Sequence, residues 1–299
     1  MRRAPTEPIY GYTSAANPVT FTAAPGETFQ VDTVVACGRR FDTHTGQWQS
    51  SAESVTNGSA GCIAIEGAQP GQVAVVHILD IQLHEYGYTR MGWPSCVLPW
   101  LAMEQGWREA ERVVRIRDGL IEWSERVKIP VAPMIGCVGL AMPHEVLSTA
   151  HNGRFGGNLD AQEVTIGTRV MLPVEVPGGL LQVGDVHAIQ GDGEIDGAGG
   201  IETAALLTLK VELRERPKRF RFPRIEHERW IATVGLARPA EVAFAIALED
   251  MIHWMVDEHG FTPPDAHMLL AQVLHARCTQ FVDPLYTYLC KVERQYLLA

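Results

Sequence analysis

The sequence predicts a mainly β protein with a C-terminal α+β part, in which a core like a β-sandwich or β-roll is followed by two helices. From residue 17 to about 222, short apolar or alternating runs are separated by glycine, proline and asparagine, a pattern typical of strands and tight turns. Helical patterns do not follow these strands at regular intervals, which disfavours a doubly wound sheet. After Pro223 the apolar residues recur at helical spacing. We therefore expect a β-rich core over residues 1–222 and a helical part over 223–299, packed together as one structural unit.

Three segments carry the predicted strands of the β-rich core. They read FTAAPGETFQVDTVVACG from Phe21, CIAIEGAQPGQVAVVHILDIQL from Cys62 and TRVMLPVEVPGGLLQVGDVHAIQG from Thr168. Residues 82–135 are less regular, and Arg112 to Val131 is expected to form a hairpin. Tryptophans of this stretch can wall a pocket or pack into the core, and packing is favoured because tryptophan supplies so much buried area. They are Trp93, Trp100 and Trp107.

The clearest helical pattern runs from Pro239 to Gly260, with proline near its start and glycine where a C-terminal cap belongs. A second helix is expected in TPPDAHMLLAQVLHARC, opened by Thr262 or Asp265. The histidines of this region are expected to be solvated or to cap helix ends rather than to bind metal. They are His253, His259, His267 and His275.

The charge balance and the cysteines limit the partners and the compartment. With 25 basic and 35 acidic residues the chain is acidic, which argues against nucleic acid and anionic membranes as partners. The one basic run, Arg214 to Arg224, predicts a connector or edge strand with solvent-facing charges. The N-terminus lacks the apolar core of a signal peptide, no apolar run is long enough to span a bilayer, and six cysteines without a CxxC pair indicate reduced core thiols. Together these features predict a soluble cytoplasmic protein.

Polar residues cluster in neighbouring segments of the predicted β core. GDVHAIQGDGE, from Gly184 to Glu194, puts one imidazole and three carboxylates into eleven residues. HNGRFGGNLD, from His151 to Asp160, lies upstream, and Glu202 lies downstream. Clustered carboxylates repel one another unless a cation or a shared proton compensates them. Imidazole with carboxylate suits zinc, and carboxylate with carbonyl suits calcium or magnesium, so the segments predict a divalent cation site.

Taken singly, each segment has an ordinary structural explanation. A turn of solvated acids accounts for GDGE, and a surface loop accounts for HNGRFGGNLD. The proximity of the segments favours a functional site. His187 ends a strand, so its ring can point into a pocket from a rigid element, and Asp192 and Glu194 on the next turn can divide cation binding from proton transfer.

The run of GGNLD, GDVHAIQGDGE and GIET resembles the acetamidase/formamidase family of amide hydrolases, whose pattern is GGN(x)D, then GD(x)H, QGDGE and a short GxIE. EGAQPGQVAVVHILDI and GLARPAEVAFAIALEDMI are similar to further segments of that family, so the resemblance extends over about residues 17–285. It implies a cytoplasmic, homo-oligomeric, largely β enzyme with a bound divalent metal that hydrolyses short-chain amides such as formamide or acetamide. The site residues that it implies are Asn158, Asp160, His187, Gln190, Asp192, Glu194 and Glu202.

We therefore expect metal-assisted hydrolysis of a small amide. The metal is expected to be zinc, with calcium as the alternative. Its expected ligands are Asp160, His187 and Glu202. Glu194 is the expected general base, which takes a proton from the attacking water and passes it to the leaving amine. Asn158 or Gln190 would hold the amide, because both side chains donate and accept hydrogen bonds.

Other functions stay open at this point. A serine nucleophile is disfavoured because GxSxG is absent, and Cys137 in IGCVG is expected to be a buried strand cysteine rather than a nucleophile. A metal-stabilised β scaffold that binds without catalysis would also use acidic turns. The same fold acting on a carbamate, a ureide or a cyclic imide is a third interpretation.

Overall fold

The structure is a computed structural model that describes residues 1–50, 52–92 and 97–297. In these residues two large β-sheets pack face to face, and two C-terminal helices cover the outer face of one of them. The predicted fold class, a mainly β sandwich-like core with two C-terminal helices, is confirmed. None of the helices in the described ranges has the length and apolar composition needed to cross a bilayer.

The elements follow one another as short strands with few helices. The strands are β1 (Arg2–Ala4), β2 (Tyr12–Ser14), β3 (Phe21–Ala23), β4 (Thr28–Asp32), β5 (Phe41–Asp42), β6 (Gln47–Trp48), β7 (Ser59–Ile65), β8 (Gln72–Leu83), β9 (Tyr86–Met91), β10 (Ala110–Arg117), β11 (Leu120–Glu122), β12 (Lys128–Pro130), β13 (Met134–Gly139), β14 (Val146–Ser148), β15 (Asn152–Gly153), β16 (Gly156–Asn158), β17 (Arg169–Pro173), β18 (Leu181–Gln190), β19 (Ala198–Thr203), β20 (Ala205–Glu215), β21 (Arg224–Glu226), β22 (Trp230–Ala237), β23 (His275–Gln280) and β24 (Tyr286–Glu293). The α-helices are α1 (Pro99–Glu104), α2 (Ala240–His259) and α3 (Pro263–Val273), and single 3₁₀ turns span Gly38–Arg40 and Arg294–Tyr296.

The nine-stranded sheet is centred on the long strands β8 and β20. Its order is β1-β4-β20-β8-β17-β21-β22-β24-β23. Strand β8 is apolar on both faces because alternate residues serve two different cores. Ala74, Val76 and Ile78 contribute to the core between the sheets. Val73 and Val75 contribute to the core beneath the helices.

The eleven-stranded sheet carries the polar segments that the sequence singled out. Its main path is β12-β11-β10-β9-β19-β18-β13-β16-β15, with β3 and β7 joined at its side. Strand β18 lies inside this sheet, where β13, β19 and β7 all pair with it. Its register places His187 opposite Glu202 of β19 and Gly184 opposite Cys137 of β13. The regular geometry of paired strands therefore fixes the positions of these residues relative to one another.

The core between the sheets is built from the facing apolar side chains of both. Phe29 and Val31 from one sheet and Ile63, Ile135 and Leu181 from the other are fully buried. Each such side chain contributes about 1.5–3 kcal/mol of hydrophobic stabilisation. This core supports β13, β16 and β18 from below, so the polar residues that they carry stand on a rigid base.

The first C-terminal helix is confirmed with its caps. Helix α2 follows Pro239, ends at His259, and has Gly260 in the left-handed conformation at φ 75°. Glycine suits that position because it has no Cβ to clash. Helix α3 is capped by the hydroxyl of Thr262, which accepts a hydrogen bond from the backbone N–H of Asp265.

The second helix is shorter than expected. It ends at Val273, and the end of the predicted segment, up to Cys278, lies in the edge strand β23 (His275–Gln280). The backbone of Leu274 turns to the extended conformation at ψ 129°, and β23 then pairs with β24. Pairing with a strand ten residues further along the chain thus overrides the helical pattern, and His275 lies on a strand.

The nine-stranded sheet is continuous across the boundary predicted at residue 222. Strand β17 before this point pairs with β21 after it. The basic run is a connector from Arg216 onward. Arg224 was expected to face solvent, but the structure shows that it is fully buried. Its guanidinium contacts Asp250 of α2 with two hydrogen bonds of 2.9 and 2.8 Å, which is how a buried arginine is satisfied.

The segment from 97 to 131 contains the predicted hairpin and leaves its tryptophans near the surface. Strands β10 and β11 form an antiparallel hairpin that pairs Ile116 with Ile121. Trp100 on α1 is 64% exposed and Trp107 is 43% exposed, so the expected packing is wrong for both. Helix α1 is too short to bury both of them, and Trp107 instead lines a cavity with Trp123. Trp93 and Cys96 lie outside the described residues.

Candidate active site

Strands β13, β16, β18 and β19, with the loops beside them, bring together a cluster of buried polar residues. These side chains form two overlapping groups, which share Asp160. Within each group, the possible ligand atoms all lie within 4.8 Å of one another. The first is Asp160, Asp185 and His187, and the second is Asp160, Glu194 and Asp283. Every member is buried. These residues could hold a metal ion.

The imidazole of His187 lies between two carboxylates. Its Nε2 is 3.6 Å from Oδ1 of Asp185 and 3.4 Å from Oε1 of Glu202. Asp185 precedes His187 by two residues on β18, and Glu202 is its direct partner across the β18–β19 ladder. The strand pairing thus places three possible ligands at one point of the sheet.

Gln190 fixes the orientation of the imidazole. Its Nε2 donates to the backbone carbonyls of Asp160 and Thr279, so its Oε1 is the acceptor that faces His187 Nδ1 at 2.9 Å. Nδ1 therefore carries the proton, and Nε2 is directed at the two carboxylates. Two carboxylates and an imidazole lone pair repel one another unless a proton or a cation lies between them. A ring held through Nδ1–H is also the usual state of a metal-binding histidine.

Several buried polar atoms in this cluster have no hydrogen-bond partner in the described ranges of the chain. They are Oδ1 and Oδ2 of Asp160, Oδ1 of Asp185, Nε2 of His187, Oε2 of Glu194 and Oε2 of Glu202. Buried polar groups are almost always paired in native proteins, and unpaired ones call for an unseen partner. Because all but one of these atoms are carboxylate oxygens, the partner that fits them is a cation.

Burial and mutual repulsion displace the pKa of the acids in this cluster upward. Burial, with Asp185 as a further cause, raises the pKa of Asp160 to about 6, and burial raises that of Glu202 to about 7. The pKa values of Glu194 and Asp283 also lie well above the ordinary carboxyl range, because of burial and the charge of Asp160. No lysine or arginine of the described residues forms an ion pair with these carboxyl groups.

The backbone at this cluster is strained. Asp160, Asp185 and Glu194 adopt positive φ angles of 43°, 56° and 39°. Asn57, which donates to Asp185 at 3.3 Å, has a φ of 45°. Left-handed backbone at residues other than glycine costs about 1–3 kcal/mol each and is found mostly at functional sites. The backbone is thus locally less stable at the residues whose side chains point into the cluster.

Two glycines provide the space that the carboxylates occupy. A Cβ on Gly136 of β13 would lie 2.5 Å from Oδ1 of Asp160 and 2.6 Å from Oδ2 of Asp185. A Cβ on Gly199 of β19 would lie 1.9 Å from Oε1 of Glu194. Neither position can carry a larger residue without moving an acid.

The amides of Asn158 and Gln190 are engaged by the protein itself. Asn158 Nδ2 donates to Asp283 at 3.0 Å, and its Oδ1 accepts from the thiol of Cys137 at 2.7 Å. Gln190 uses its amide on His187 and two carbonyls, as described above. Both side chains thus orient neighbouring groups, and the expectation that either of them holds a substrate amide stays a prediction. Cys137 is a buried strand cysteine, and burial raises its thiol pKa well above the ordinary value.

Asp192 lies apart from the cluster. Its side chain is 63% exposed and pairs with Arg277, because the turn between Gly191 and Gly193 directs it outward. Asp283 was missed by the sequence reasoning: it lies in the loop between β23 and β24, with no local motif around it. Asp185 was inside the quoted GDVH motif, and its spacing of two from His187 was the available signal.

The remaining histidines lie elsewhere in the fold. His77 on β8 pairs with Glu212 at 3.2 Å on the other sheet. His151 is exposed, and only its backbone carbonyl reaches the site region, where it accepts from Asn158 N–H. Neither contributes to the cluster.

A cavity of about 440 Å³ leads to the cluster from the surface. Glu202 and Asn57 form part of its wall, so the cavity borders the cluster at Glu202. The remainder of the wall includes Arg40, Trp48, Tyr88 and Arg90.

Comparison with known proteins supports a single family. The sequence profile of the Acetamidase/Formamidase family matches residues 96–287. A formamidase from Methylophilus methylotrophus is 52% identical over 58 residues, which are 19% of this chain and 14% of that protein. An acetamidase from Mycolicibacterium smegmatis is 24% identical over 261 residues, covering 66% of this chain and 63% of that protein. The chain thus spans less than two thirds of the length of these sequence relatives.

A solved structure agrees over nearly the whole chain. The crystal structure of an acetamidase from Bacillus halodurans superimposes with a TM-score of 0.90 at 28% identity, and covers 98% of both chains.

Proposed function

This chain belongs to the acetamidase/formamidase family, and we propose that it is a metal-dependent hydrolase that cleaves the C–N bond of short linear amides to a carboxylate and ammonia. One observation carries the proposal: buried acids surround a single imidazole beside a cavity, and several of their oxygens have no hydrogen-bond partner among the described residues. Acids arranged in this way are costly for folding unless they bind a cation.

The donor set fits a divalent ion. We propose that Asp160, Asp185 and His187 hold it, with Glu202 as the further carboxylate predicted from the sequence. The imidazole favours zinc over calcium, since calcium prefers oxygen ligands alone. When bound, such an ion supplies Lewis-acid polarisation of the amide carbonyl and acidifies water for attack.

Glu194 is the proposed general base. Its Oε2 is buried and has no hydrogen-bond partner, so it is free to take a proton from the attacking water. The same atom then returns that proton to the amide nitrogen, which leaves as ammonia when the C–N bond breaks. Burial and the charge of Asp160 raise the pKa of Glu194, which makes it a stronger base than an exposed glutamate.

Asn57 replaces Asn158 and Gln190 as the proposed amide-binding residue. It lines the cavity and its Nδ2 donates to Asp185 at 3.3 Å, so its carboxamide lies between the cavity and the cluster. Asn158 and Gln190 then act as positioning residues for Asp283 and His187. A cytoplasmic location and a homo-oligomeric assembly remain predictions from the sequence.

The test is ammonia release from formamide, acetamide and propionamide by the protein as purified, before and after treatment with a chelator. We expect turnover that chelation abolishes and added zinc restores. Glu194→Gln should retain metal and lower turnover about a hundredfold or more, as loss of a general base does. Glu66→Gln, an exposed glutamate on a turn, is the matched control and should behave as the unaltered protein.

Two outcomes would contradict the proposal. Loss of thermal stability on chelation with no turnover at any stage would indicate a metal-stabilised scaffold instead. Full turnover by Glu194→Gln would remove this residue from the mechanism.

A further inference from the structure

The cavity beside the metal-binding cluster is built for more than formamide. Its volume of about 440 Å³ is within the range of small-molecule sites, and a water occupies only about 30 Å³ of liquid. Formamide, with three heavy atoms, would fill a small part of the space. The wall of the cavity beyond the cluster therefore indicates what else a substrate carries.

Two arginines of this wall form no side-chain hydrogen bond or ion pair within the part of the chain that the structure describes. Arg40 is the last residue of the first 3₁₀ turn and Arg90 lies on β9, and both side chains are exposed. By contrast, Arg39, the residue before Arg40, forms an ion pair with Glu7. Arg115, on the strand β10 that pairs with β9, forms one with Glu85. In a chain with a net charge of −10, acidic partners are plentiful, so two unpaired arginines on one cavity point to an anionic ligand.

The positions of the arginines are fixed by the backbone. The carbonyl of Arg40 accepts from the N–H of Gln49 at 2.7 Å, and Arg90 is held between Glu111 of β10 and Ala198 of β19. Glu111 lines the same cavity, so its carboxylate offsets part of the charge of Arg90. Arg40 is then the guanidinium with the least compensation.

The wall between Arg40 and the cluster is aromatic. Tyr88 and Trp48 meet edge to face with ring centroids 4.9 Å apart, and Phe41 packs against both rings. Tyr88 and Glu202 line the cavity together, so an apolar chain along the aromatic wall would connect the cluster with the guanidinium groups. The wall of the cavity thus combines an acid of the cluster, an aromatic surface and two cationic side chains.

We propose that the preferred substrates are primary amides whose acyl chain ends in a carboxylate, such as the monoamides of short dicarboxylic acids. The inference rests on the proposed function for the bond that is cleaved. The amide of the substrate lies at the cluster, its methylene chain lies along Trp48 and Tyr88, and its carboxylate accepts hydrogen bonds from Arg40 and Arg90. The product is the dicarboxylate, and ammonia leaves.

The experiment compares kcat/KM for succinamate and for butyramide, a neutral amide of the same chain length, using the protein with its metal as purified. We expect a preference of about tenfold or more for succinamate, the size of one charge-assisted hydrogen bond. Arg40→Gln should remove most of that preference, and Glu111→Gln should increase it. Arg214→Gln is the matched control, because Arg214 is exposed on β20 and lies away from the cavity.

A binding measurement separates this inference from the proposed function. Succinate should bind more tightly than butyrate by calorimetry, and the difference should disappear in Arg40→Gln. If acetamide is hydrolysed but succinamate is not preferred and succinate binds no better than butyrate, the inference is overturned while the function stands. If no amide is cleaved but succinate binds through Arg40, the anion site stands and the proposed function falls.

Discussion

Beneath helix α2, Arg224 and Asp250 bury one positive and one negative charge in direct contact, whereas around His187 several carboxyl groups share a single imidazole. The guanidinium of Arg224 is fully buried, lies over the rings of Phe220 and Trp254, and makes two hydrogen bonds to Asp250. The cluster has the opposite character, with raised carboxyl pKa values and unpaired oxygens. In the first region a positive and a negative charge are matched within the protein, whereas we propose that a bound cation completes the second.

This difference distinguishes structural from functional burial of charge. A matched pair neutralises itself and keeps its place in the fold at all times. An unmatched cluster stores unfavourable energy in the free protein, and a bound cation releases it. The strained backbone at Asp160, Asp185 and Glu194 adds to that stored energy.

The largest effect is expected at the residue common to both ligand groups. Asp160→Asn should lower amide turnover by about a thousandfold or more and should also lower the metal content. The reason is that the substitution removes one negatively charged ligand, so the remaining ligands balance the charge of the cation less well. The comparison predicts no loss of thermal stability in the metal-free variant, since the substitution relieves repulsion. Turnover by ammonia release, metal by elemental analysis and unfolding by calorimetry check these expectations.

Asp118→Asn is the matched control for this substitution. Asp118 has the same left-handed backbone, at φ 52°, but its side chain is 88% exposed. Equal loss of turnover in both variants would show that the effect comes from the backbone and not from the ligand.

Breaking the matched pair should affect stability instead of activity. Asp250→Asn leaves the buried guanidinium of Arg224 with an incomplete partner, and we expect a loss of about 3 kcal/mol in the free energy of unfolding. Denaturant unfolding measures it. Glu249→Gln, exposed on the same helix, should change stability little. If Asp250→Asn is destabilised but retains its metal, the pair contributes to stability independently of the cluster. Loss of metal from this variant would contradict that independence.

A methyl group at Gly199 should disturb the base without touching the metal-binding residues. Because its Cβ would lie 1.9 Å from Oε1 of Glu194, Gly199→Ala must displace that carboxylate, and a shift of about 1 Å costs on the order of a hundredfold in turnover. Gly191→Ala places its methyl in open space and is the control. If both variants turn over amides equally well, the position of Glu194 is not critical.

The pH dependence of stability should reveal the uncompensated acids. Burial raises the pKa of Asp160 from 3.8 to about 6 and that of Glu202 from 4.5 to about 7. A carboxyl group with a raised pKa in the folded state stabilises the fold when protonated, so this stability is present below about pH 4 and is lost as the pH rises to about 7.

We therefore expect the metal-free protein to lose on the order of 5 kcal/mol between pH 4.5 and 7.5, and the metal-loaded protein to lose much less. Unfolding of both forms across this range is the measurement. Asp160→Asn should flatten the slope of the metal-free protein. Parallel curves with and without metal would contradict the account.

Local signals in the sequence were sufficient for part of the fold. Pro239 and Gly260 delimit α2, and Thr262 caps α3, because caps act within one turn of a helix. The strand β23 was read as helix since its identity comes from pairing with β24. No window of residues 262–278 contains that information.

The same limit applies to the site. Asp160, His187, Glu194 and Glu202 were found because they lie in or beside two polar segments of the chain, 151–160 and 184–194. Asp283 was not, since the fold alone brings its loop to Asp160 from more than a hundred residues away. The partners of Asn158 and the outward direction of Asp192 likewise depend on tertiary packing, which spacing along the chain does not encode.

The most direct test of the central claim is the metal content of the protein purified without added metal, combined with the position of that metal in anomalous diffraction. The account predicts at least one divalent ion per chain, bonded to Asp160, Asp185 and His187 and absent from Asp160→Asn. A metal-free protein that hydrolyses acetamide at an undiminished rate would contradict it.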